Sequence, residues 1–380
     1  MSRINVMKPW LGPEEAAALS EVIASGWIAQ GPRTAQFEAA FAERMEAGHA
    51  VAASSCTAAL HLALIVSGVG PGDDVVVPSF SFIATANAPT YVGARPVFAD
   101  VDPHTGNLTA ETVEAALTSA TRAVIAVDQG GVPVDLAPLR ALCDPLGITV
   151  LEDAACAAGS RYGGRPAGAG AEIAAWSFHP RKILTTGEGG MLTTSNPECA
   201  ARARTLREHA MNLSAAERSA SILAPAEAYA EVGYNYRMTD LQSAVGLVQL
   251  ERLDAVVRRR RELAAGYAKA FAEIEFLRPV GDPPWGQSNF QSYWIEVLPG
   301  FGTDRNGVLE ALARQEISAR RGIMAAHLEP AYRDRDTGTA SLEVTERLSA
   351  GTLILPLFHE MTESEQARVI EAVAGCSRKP

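Results

Sequence analysis

One lysine stands in a segment whose residue types could do covalent chemistry. Lys182 lies between a Ser-Phe-His run (177–179) and a glycine-rich Thr-Thr-Gly-Glu-Gly-Gly run (185–190). Apolar stretches at 174–178 and 189–194 are predicted to be short buried strands. A lysine in a turn is usually a solvated charge, but one between buried strands and beside glycines is predicted to be desolvated. Desolvation would lower its pKa and make the amine a nucleophile toward an aldehyde.

A carboxylate at the end of another predicted strand gives this lysine a partner. Residues 149–155 read Thr-Val-Leu-Glu-Asp-Ala-Ala, and the interval from Asp153 to Lys182 accommodates one further hairpin. A carboxylate in such a place can pair with a pyridinium nitrogen, as pyridoxal phosphate (PLP) requires. Together the two residues predict PLP as cofactor, Lys182 as the catalytic lysine and Asp153 as a cofactor ligand.

Six motifs extend this interpretation along nearly the whole chain. They occur in order at 26–32, 55–60, 80–85, 152–155, 177–190 and 233–240. In this set and order the chain resembles the DegT/StrS family of PLP-dependent sugar aminotransferases, which have fold type I. The resemblance implies an α/β fold with a mainly parallel, doubly wound sheet in a large domain and a smaller α+β C-terminal domain.

The hydrophobic pattern is consistent with that fold. Strands alternating with helices predict a mainly parallel sheet in the first part of the chain, and a compact α+β unit follows. The expected domains are an N-terminal segment packing with the small domain (1–30), a large PLP-binding domain (31–250) and a small domain (251–380). The predicted strands are 51–55, 74–78, 94–100, 123–127, 149–155, 292–298 and 352–356, and the predicted helices are 13–24, 34–47, 57–64, 110–118, 135–144, 240–263, 305–315 and 362–373.

A predicted strand-to-helix turn is a candidate phosphate site. The turn at 54–58 offers free backbone N–H groups and a favourable dipole, although capping of the helix by Ser55 or Thr57 explains the same residues. The family match favours phosphate binding by Thr57 and Ala58. The resemblance adds other cofactor-binding residues: an aromatic ring that stacks on PLP, a contact to its phenolic oxygen, a serine of the lysine motif, and an amide that reaches the phosphate from a second chain. These are Phe82, Cys156, Ser177 and Asn235.

Two departures from the family pattern fall near this site. The family commonly has Gln or His at the position of Cys156, and a His and an aromatic where this chain has Asp-Gln-Gly-Gly at 128–131. A thiol is a weaker hydrogen-bond donor than an amide. Cys56 also stands where a small residue is usual, either as a reactive thiol or as an inert buried one.

The resemblance implies L-glutamate as amino donor and a nucleotide-linked keto-deoxysugar as acceptor. A related branch acts on keto-cyclitols, which remains an alternative. Candidate substrate contacts are Trp27, His179, Arg181, Glu188, Arg321 and His327, though ordinary surface charge accounts for the last two equally. A relative that dehydrates sugars has histidine in place of the lysine, so Lys182 favours amino transfer. A regulatory protein that retains the fold without turnover is the non-enzyme alternative.

Composition limits the other functions. The chain has 380 residues, 47% hydrophobic and 20% charged, and a net charge of −11, which argues against nucleic acid as a partner. No long apolar run predicts a membrane span. Five scattered cysteines show no metal or disulfide spacing, so a cytoplasmic enzyme without metal is expected. The resemblance implies a homodimer whose active sites are shared between the two chains. The segment 214–225 is predicted to be flexible, and the arginines at 258–261 to be either a solvated helix face or a phosphate clamp.

Overall fold

The computed structural model describes residues 3–213 and 226–377. The predicted flexible segment at 214–225 lies outside the described residues. Among the described residues, no helix combines the length and apolar character needed to cross a bilayer.

A large seven-stranded sheet is built from residues 49 to 194. Its strands are β1 (His49–Ala53), β2 (Asp74–Pro78), β3 (Arg95–Ala99), β4 (Thr121–Val127), β5 (Thr149–Asp153), β8 (Ile173–Ser177) and β9 (Gly190–Thr194). They follow the order β1-β9-β8-β5-β4-β2-β3; β8, β5, β4, β2 and β3 run parallel, whereas β9 is antiparallel to both β8 and β1. The mixed α/β fold with a mainly parallel sheet is therefore confirmed.

Helices cover this sheet. The helices in this part of the chain are α1 (Pro13–Ser25), α2 (Pro32–Arg44), α3 (Cys56–Val66), α4 (Ile83–Tyr91), α5 (Ala110–Glu114), α6 (Leu136–Cys143), α7 (Pro197–Leu206) and the long α8 (Asp240–Phe271). A hairpin of β6 (Arg161–Tyr162) and β7 (Arg165–Pro166) lies between β5 and β8, as the spacing of Asp153 and Lys182 predicts, and β11 (Gly286–Gln287) pairs with β6.

The C-terminal part has its own sheet and core. Its elements are β10 (Leu277–Pro279), β12 (Tyr293–Val297), α9 (Arg305–Arg314), β13 (Arg320–Arg321), α10 (Glu343–Gly351), β14 (Thr352–Leu355) and α11 (Glu363–Gly375). The four strands follow the order β10-β12-β14-β13, and all their pairings are antiparallel. Ile4 belongs to this core and forms a bridge with Ile317. The domain limits 1–30, 31–250 and 251–380 stay a prediction, and α8 continues across residue 250.

Local sequence explains where the key helices begin. Ser55 caps α3 by accepting a hydrogen bond from the backbone N–H of Ala58 at 3.1 Å, which confirms the capping role considered for this serine. Thr239 and Gln242 form a capping box at the start of α8. Asn235 is therefore not the cap of α8.

One arginine of the 258–261 run contradicts the prediction of a solvated face. The side chain of Arg260 is buried, and it donates hydrogen bonds to the carbonyl oxygens of Phe290, Gln291 and Leu357 at 2.8–2.9 Å. Burial lowers the pKa of its guanidinium to about 9. Neither a solvated face nor a phosphate clamp describes this residue, because its donors join α8 to two backbone segments.

Candidate active site

Lys182 lies in the loop that connects the antiparallel strands β8 and β9. The loop is closed by backbone hydrogen bonds from Phe178 to Gly189 and from Thr186 to Phe178, at 2.9 and 3.0 Å. The Lys182 N–H donates to the carbonyl oxygen of His179 at 2.8 Å. The side chain is half-buried, and its Nζ donates to Sγ of Cys156 at 3.1 Å. The lysine is thus held between two buried strands, as predicted.

The electrostatics of Lys182 differ from the sequence-based expectation. Burial lowers the pKa of the Lys182 ammonium, whereas Cys156, Cys56 and Asp153 raise it. Their combined effect is the larger one, so the net shift of the pKa is upward. The prediction of a lowered pKa is therefore wrong for the unliganded chain. That prediction rests on desolvation alone, whereas two thiols and a carboxylate from other elements surround the amine.

Asp153 ends β5 and its carboxylate is buried beside this lysine. Oδ2 accepts a hydrogen bond from Oγ1 of Thr85 at 2.9 Å, and Oδ1 accepts one from the N–H of Ala155 at 3.2 Å. Burial raises the pKa of Asp153, while Thr85, Ala155 and Lys182 partly oppose that shift. Sγ of Cys56 lies 3.9 Å from Oδ1 of Asp153. Burial and the neighbouring Asp153 raise the pKa of Cys56 well above its ordinary value.

The first turn of α3 adjoins this group. Thr57 and Ala58 lie in that turn, and Cys56 opens it. The closeness depends on Gly190, because a Cβ there would lie 2.3 Å from the carbonyl carbon of Ser55. Ser177 is the register partner of Gly190 across β8 and β9.

Phe82, the predicted stacking ring, lies at the start of α4. Its side chain is 63% exposed, although it immediately precedes a helix that contains Thr85, the partner of Asp153. A large exposed ring, three residues before the threonine that binds Asp153, is available to pack against a ligand.

The predicted substrate contacts of the lysine loop are near one another. Nε2 of His179 lies 3.9 Å from Oε1 of Glu188, and Nδ1 of His179 accepts a hydrogen bond from the N–H of Arg181. Burial lowers the pKa of His179, together with the charges of Arg181 and Lys182, against the opposing effect of Glu188. The imidazole is therefore neutral at neutral pH.

Two further predicted residues flank the start of α8. The Trp27 loop is attached there, since Nε1 of Trp27 donates to the carbonyl oxygen of Gln30 and the N–H of Gly31 donates to Asp240 at 2.8 Å. The carbonyl oxygen of Glu188 accepts from Gln242 at 2.7 Å, which connects the lysine loop to the same helix end. Asn235 is exposed on the segment that leads into α8.

Arg321 and His327 do not join this cluster directly among the described residues. Arg321 is exposed on β13. Nδ1 of His327 lies 2.7 Å from Oγ of Ser79, and its Nε2 lies 3.3 Å from Oε1 of Glu346. His327 thus attaches the C-terminal part to the end of β2, four residues before Ile83 opens α4.

The two side chains of the 128–131 departure, those of Asp128 and Gln129, are buried. Asp128 is buried at the end of β4, and its Oδ1 accepts from the N–H of Val134 at 2.8 Å. Glu152, on the adjacent strand, accepts from the N–H of Gly168. Asp128 Oδ2 and Glu152 Oε2 lack a donor among the described residues, so the two carboxyl groups satisfy each other only when they hold a proton.

The residues present fit PLP. A primary amine, a buried carboxylate without a buried cationic ion-pair partner among the described residues, an exposed aromatic ring and a helix N-terminus come from β8–β9, β5, α4 and α3. These supply a covalent attachment point, a partner for the pyridine nitrogen, a stacking surface and N–H groups for a phosphate. Fold and site together define a PLP-dependent enzyme of fold type I.

The chain belongs to the DegT/DnrJ/EryC1/StrS aminotransferase family, whose model matches residues 9–374. The aminotransferase TlmJ from Streptoalloteichus hindustanus is similar, with 38% identity, a TM-score of 0.89 and 98% of each chain covered. DesV of S. venezuelae, solved with a ketimine intermediate, shares 32% identity at a TM-score of 0.91 over 100% of each chain. DesI, solved in the presence of its TDP-sugar product, shares 30% identity at a TM-score of 0.88, covering 99% of this chain and 93% of its own. The protein is a PLP-dependent aminotransferase.

Three residues near the site were not anticipated from the sequence. Thr85 bonds Asp153, while Asn289 and Gln291 bond the backbone around Cys156 and Lys182. Thr85 falls within the 80–85 motif and could have been found there. The two amides precede a C-terminal strand and carry no signal in the local sequence.

Proposed function

We propose that this aminotransferase transfers an amino group from L-glutamate to the keto group of a nucleotide-linked deoxysugar. The observation that supports this most is the grouping of Lys182, Asp153 and Cys156 within a chain of the sugar aminotransferase family. The likeness to DesI, solved with its TDP-sugar product, favours a nucleotide-linked acceptor.

The proposed roles follow from the chemistry of each side chain. When bound, PLP withdraws electrons from the carbon that loses its proton. Lys182 attaches the cofactor and, once released, moves a proton between the donor's α-carbon and the cofactor's aldehyde carbon. Asp153 holds a proton at the pyridine nitrogen, in a site where burial strengthens a charge-assisted hydrogen bond.

Other residues bind and orient. The first turn of α3, with Thr57 and Ala58, offers N–H groups to the phosphate, and Phe82 offers a ring to the pyridine face. Cys156 lies beside the phenolic oxygen, and Ser177 lies at the start of the lysine loop. For the substrate we propose Trp27, His179, Arg181, Glu188, Arg321 and His327.

We further propose a homodimer in the cytoplasm, with Asn235 of one chain reaching the phosphate held by the other. Asn235 is exposed, and the nearby apolar residue Val232 is 83% exposed. An interface with a second chain would explain why an apolar residue is exposed here. The free cysteines suit a reducing compartment.

The identity of the PLP-binding lysine can be tested directly. Borohydride reduction of the loaded enzyme, followed by peptide mapping, should label Lys182. Lys182→Ala should carry no reducible adduct and lose turnover. The matched control is Lys269→Ala, a lysine on the last turn of α8, which should retain both. Label on any other lysine would refute the assignment.

The acceptor can be identified with the aminated cofactor form. Enzyme converted by glutamate should regain its PLP absorbance when a keto nucleotide-sugar is added. Recovery with keto-cyclitols alone would contradict the proposed acceptor, and no conversion by glutamate would contradict the donor.

A further inference from the structure

The contact between Lys182 and Cys156 joins two separate loops. Nζ of Lys182 and Sγ of Cys156 are 3.1 Å apart, yet one residue follows β8 and the other follows β5. The contact therefore depends on how far apart the backbones of the Lys182 loop and the Cys156 loop lie. Both are bound by a single three-residue turn, 289–291, which lies between β11 and β12 in sequence.

Gln291 binds the backbone on both sides of the lysine. Its Oε1 accepts from the N–H of Ile183 at 3.0 Å, and its Nε2 donates to the carbonyl oxygen of Arg181 at 2.6 Å. The N–H of Lys182 itself is bonded within its loop. One buried carboxamide therefore binds a backbone N–H and a backbone carbonyl oxygen, as a paired strand would, and restrains the peptide groups that flank Lys182.

Asn289 binds the cysteine segment in the same way. Its Nδ2 donates to the carbonyl oxygens of Cys156 and Ala158 at 2.8 and 2.9 Å, while its Oδ1 accepts from the N–H of Gln291 at 2.7 Å. Asn289 is fully buried. The two amides are thus joined to each other as well as to the two loops.

The backbone between the amides is strained. Phe290 has a φ of 51°, a left-handed conformation that is rare for a bulky residue and persists only where the surroundings enforce it. Arg260 enforces it here, since Nε donates to the carbonyl oxygen of Phe290 and Nη2 to that of Gln291. This explains why an arginine without a buried carboxylate partner among the described residues is retained in the core.

The departure at 128–131 makes room for the same turn. Gly131 has a φ of 95°, and a Cβ there would lie 2.0 Å from Oδ1 of Asn289. The N–H of Ser292 also donates to the carbonyl oxygen of Gly130 at 2.9 Å. A side chain at Gly131 would displace Asn289 and, through it, the Cys156 segment.

We propose that Asn289 and Gln291, anchored by Arg260, are positioning residues that set the Lys182–Cys156 contact and thereby the approach of the lysine to the cofactor. The inference rests on the proposed role of Lys182 in binding PLP. It means that residues of the C-terminal part help to set the position of the Lys182 amine. A displacement of about 1 Å at a reacting group can cost on the order of a hundredfold in rate.

The test uses Gln291→Met, which keeps the length of the side chain and removes both hydrogen bonds. The matched control is Gln249→Met, since Gln249 is also a buried amide but bonds Trp10 and Glu15 instead. The first readout is the pH profile of Lys182 acetylation by acetic anhydride in the PLP-free chain. Cys156, Cys56 and Asp153 raise the pKa of Lys182, and the positive charge of Lys182 lowers the pKa of His179. Loss of the Cys156 contact should therefore move the acetylation midpoint to lower pH.

The second readout is the rate of covalent PLP capture, trapped by borohydride. Gln291→Met should slow it by about tenfold or more, and Gln249→Met should leave both readouts as in the wild type. A folded Gln291→Met with an unchanged midpoint and capture rate would overturn the proposal.

Two arms keep the test decisive. If Gln291→Met does not fold, Gln291→Asn keeps the residue uncharged but is one methylene too short to hold both Ile183 and Arg181, and an unchanged midpoint and capture rate in that variant overturn the proposal equally. Failure of the proposed function would appear differently: borohydride reduction of the wild-type enzyme would label a lysine other than Lys182. The acetylation profile would still report on the effect of the 289–291 turn.

Discussion

At the scale of single residues, Cys156 distinguishes this active site from the pattern of its family. A thiol occupies the place where glutamine or histidine is common, and it accepts a hydrogen bond from Lys182 at 3.1 Å. Thiols are weak hydrogen-bond partners, so the phenolic oxygen proposed to lie there would lose a strong donor. The electronic state of the bound cofactor should reflect this.

Cys156→Gln should therefore shift the visible absorption band of the bound cofactor and change its dependence on pH. The physical reason is that an amide N–H stabilises negative charge on the phenolic oxygen better than a thiol does. Absorbance spectra across the pH range measure the effect. Cys199→Gln introduces the same change on α7, a helix outside the lysine loop, and serves as the control. Superimposable spectra for Cys156→Gln and the wild type would place Cys156 away from the cofactor.

At the scale of elements, the carboxyl ends of β4 and β5 bring two acids together in the core. Asp128 and Glu152 are both buried, and each has one oxygen without a donor among the described residues. Burial raises the pKa of Glu152 to about 7, and burial together with Glu152 raises that of Asp128 well above its ordinary value. The pair thus retains a proton in the folded state.

This pair makes stability depend on pH. Since the folded pKa values lie above the unfolded ones, the stabilisation is complete below the ordinary carboxyl range and is lost as pH rises through about 7. Asp128→Asn removes one acid, keeps the Oδ1 acceptor for Val134 and adds a donor toward Glu152. We expect it to raise the free energy of unfolding at pH 8 by about 1–3 kcal/mol, with a smaller gain at pH 5.

Denaturant titrations at both pH values measure this difference. Asp135→Asn is the control, because Asp135 is only half-buried and bonds the hydroxyl of Tyr162. Equal shifts at pH 5 and pH 8, or a destabilised Asp128→Asn at pH 8, would show that the two carboxyl groups do not share a proton.

At the scale of the whole molecule, the proposed dimer predicts complementation between two inactive chains. Lys182→Ala lacks the amine, and Asn235→Asp sets a carboxylate against the phosphate. Refolded together, they form mixed dimers in which one site has both native residues, provided that Asn235 acts across the interface. Activity should then return to part of the wild-type level, as measured by the glutamate half-reaction.

The controls are three chains, each refolded alone: Lys182→Ala, Asn235→Asp and the chain that carries both substitutions. All three should stay inactive. Differently tagged chains verify that mixed dimers are present. Mixed dimers as inactive as their parents would show that Asn235 serves its own chain.

Much of the architecture was predictable from the sequence because local patterns carry it. Uninterrupted apolar runs are typical of buried parallel strands; the predicted strand at 74–78 matches β2, and the predicted run at 149–155 contains β5, which ends at Asp153. Capping residues located the start of α8 at Asp240, although the helix extends to Phe271 rather than ending near Leu263. Helix ends without a glycine or proline are poorly marked in sequence.

The sequence by itself determined that a lysine and a carboxylate would follow buried strands of one sheet, and therefore that PLP chemistry was possible. Only the tertiary structure decided what surrounds them. The raised pKa of Lys182, the buried donors of Arg260 and the carboxamide of Gln291 on the lysine's backbone all depend on groups far apart in the chain. Such contacts leave no periodic signal, because each is a single polar pairing set by how the elements pack rather than by the repeat of a helix or strand.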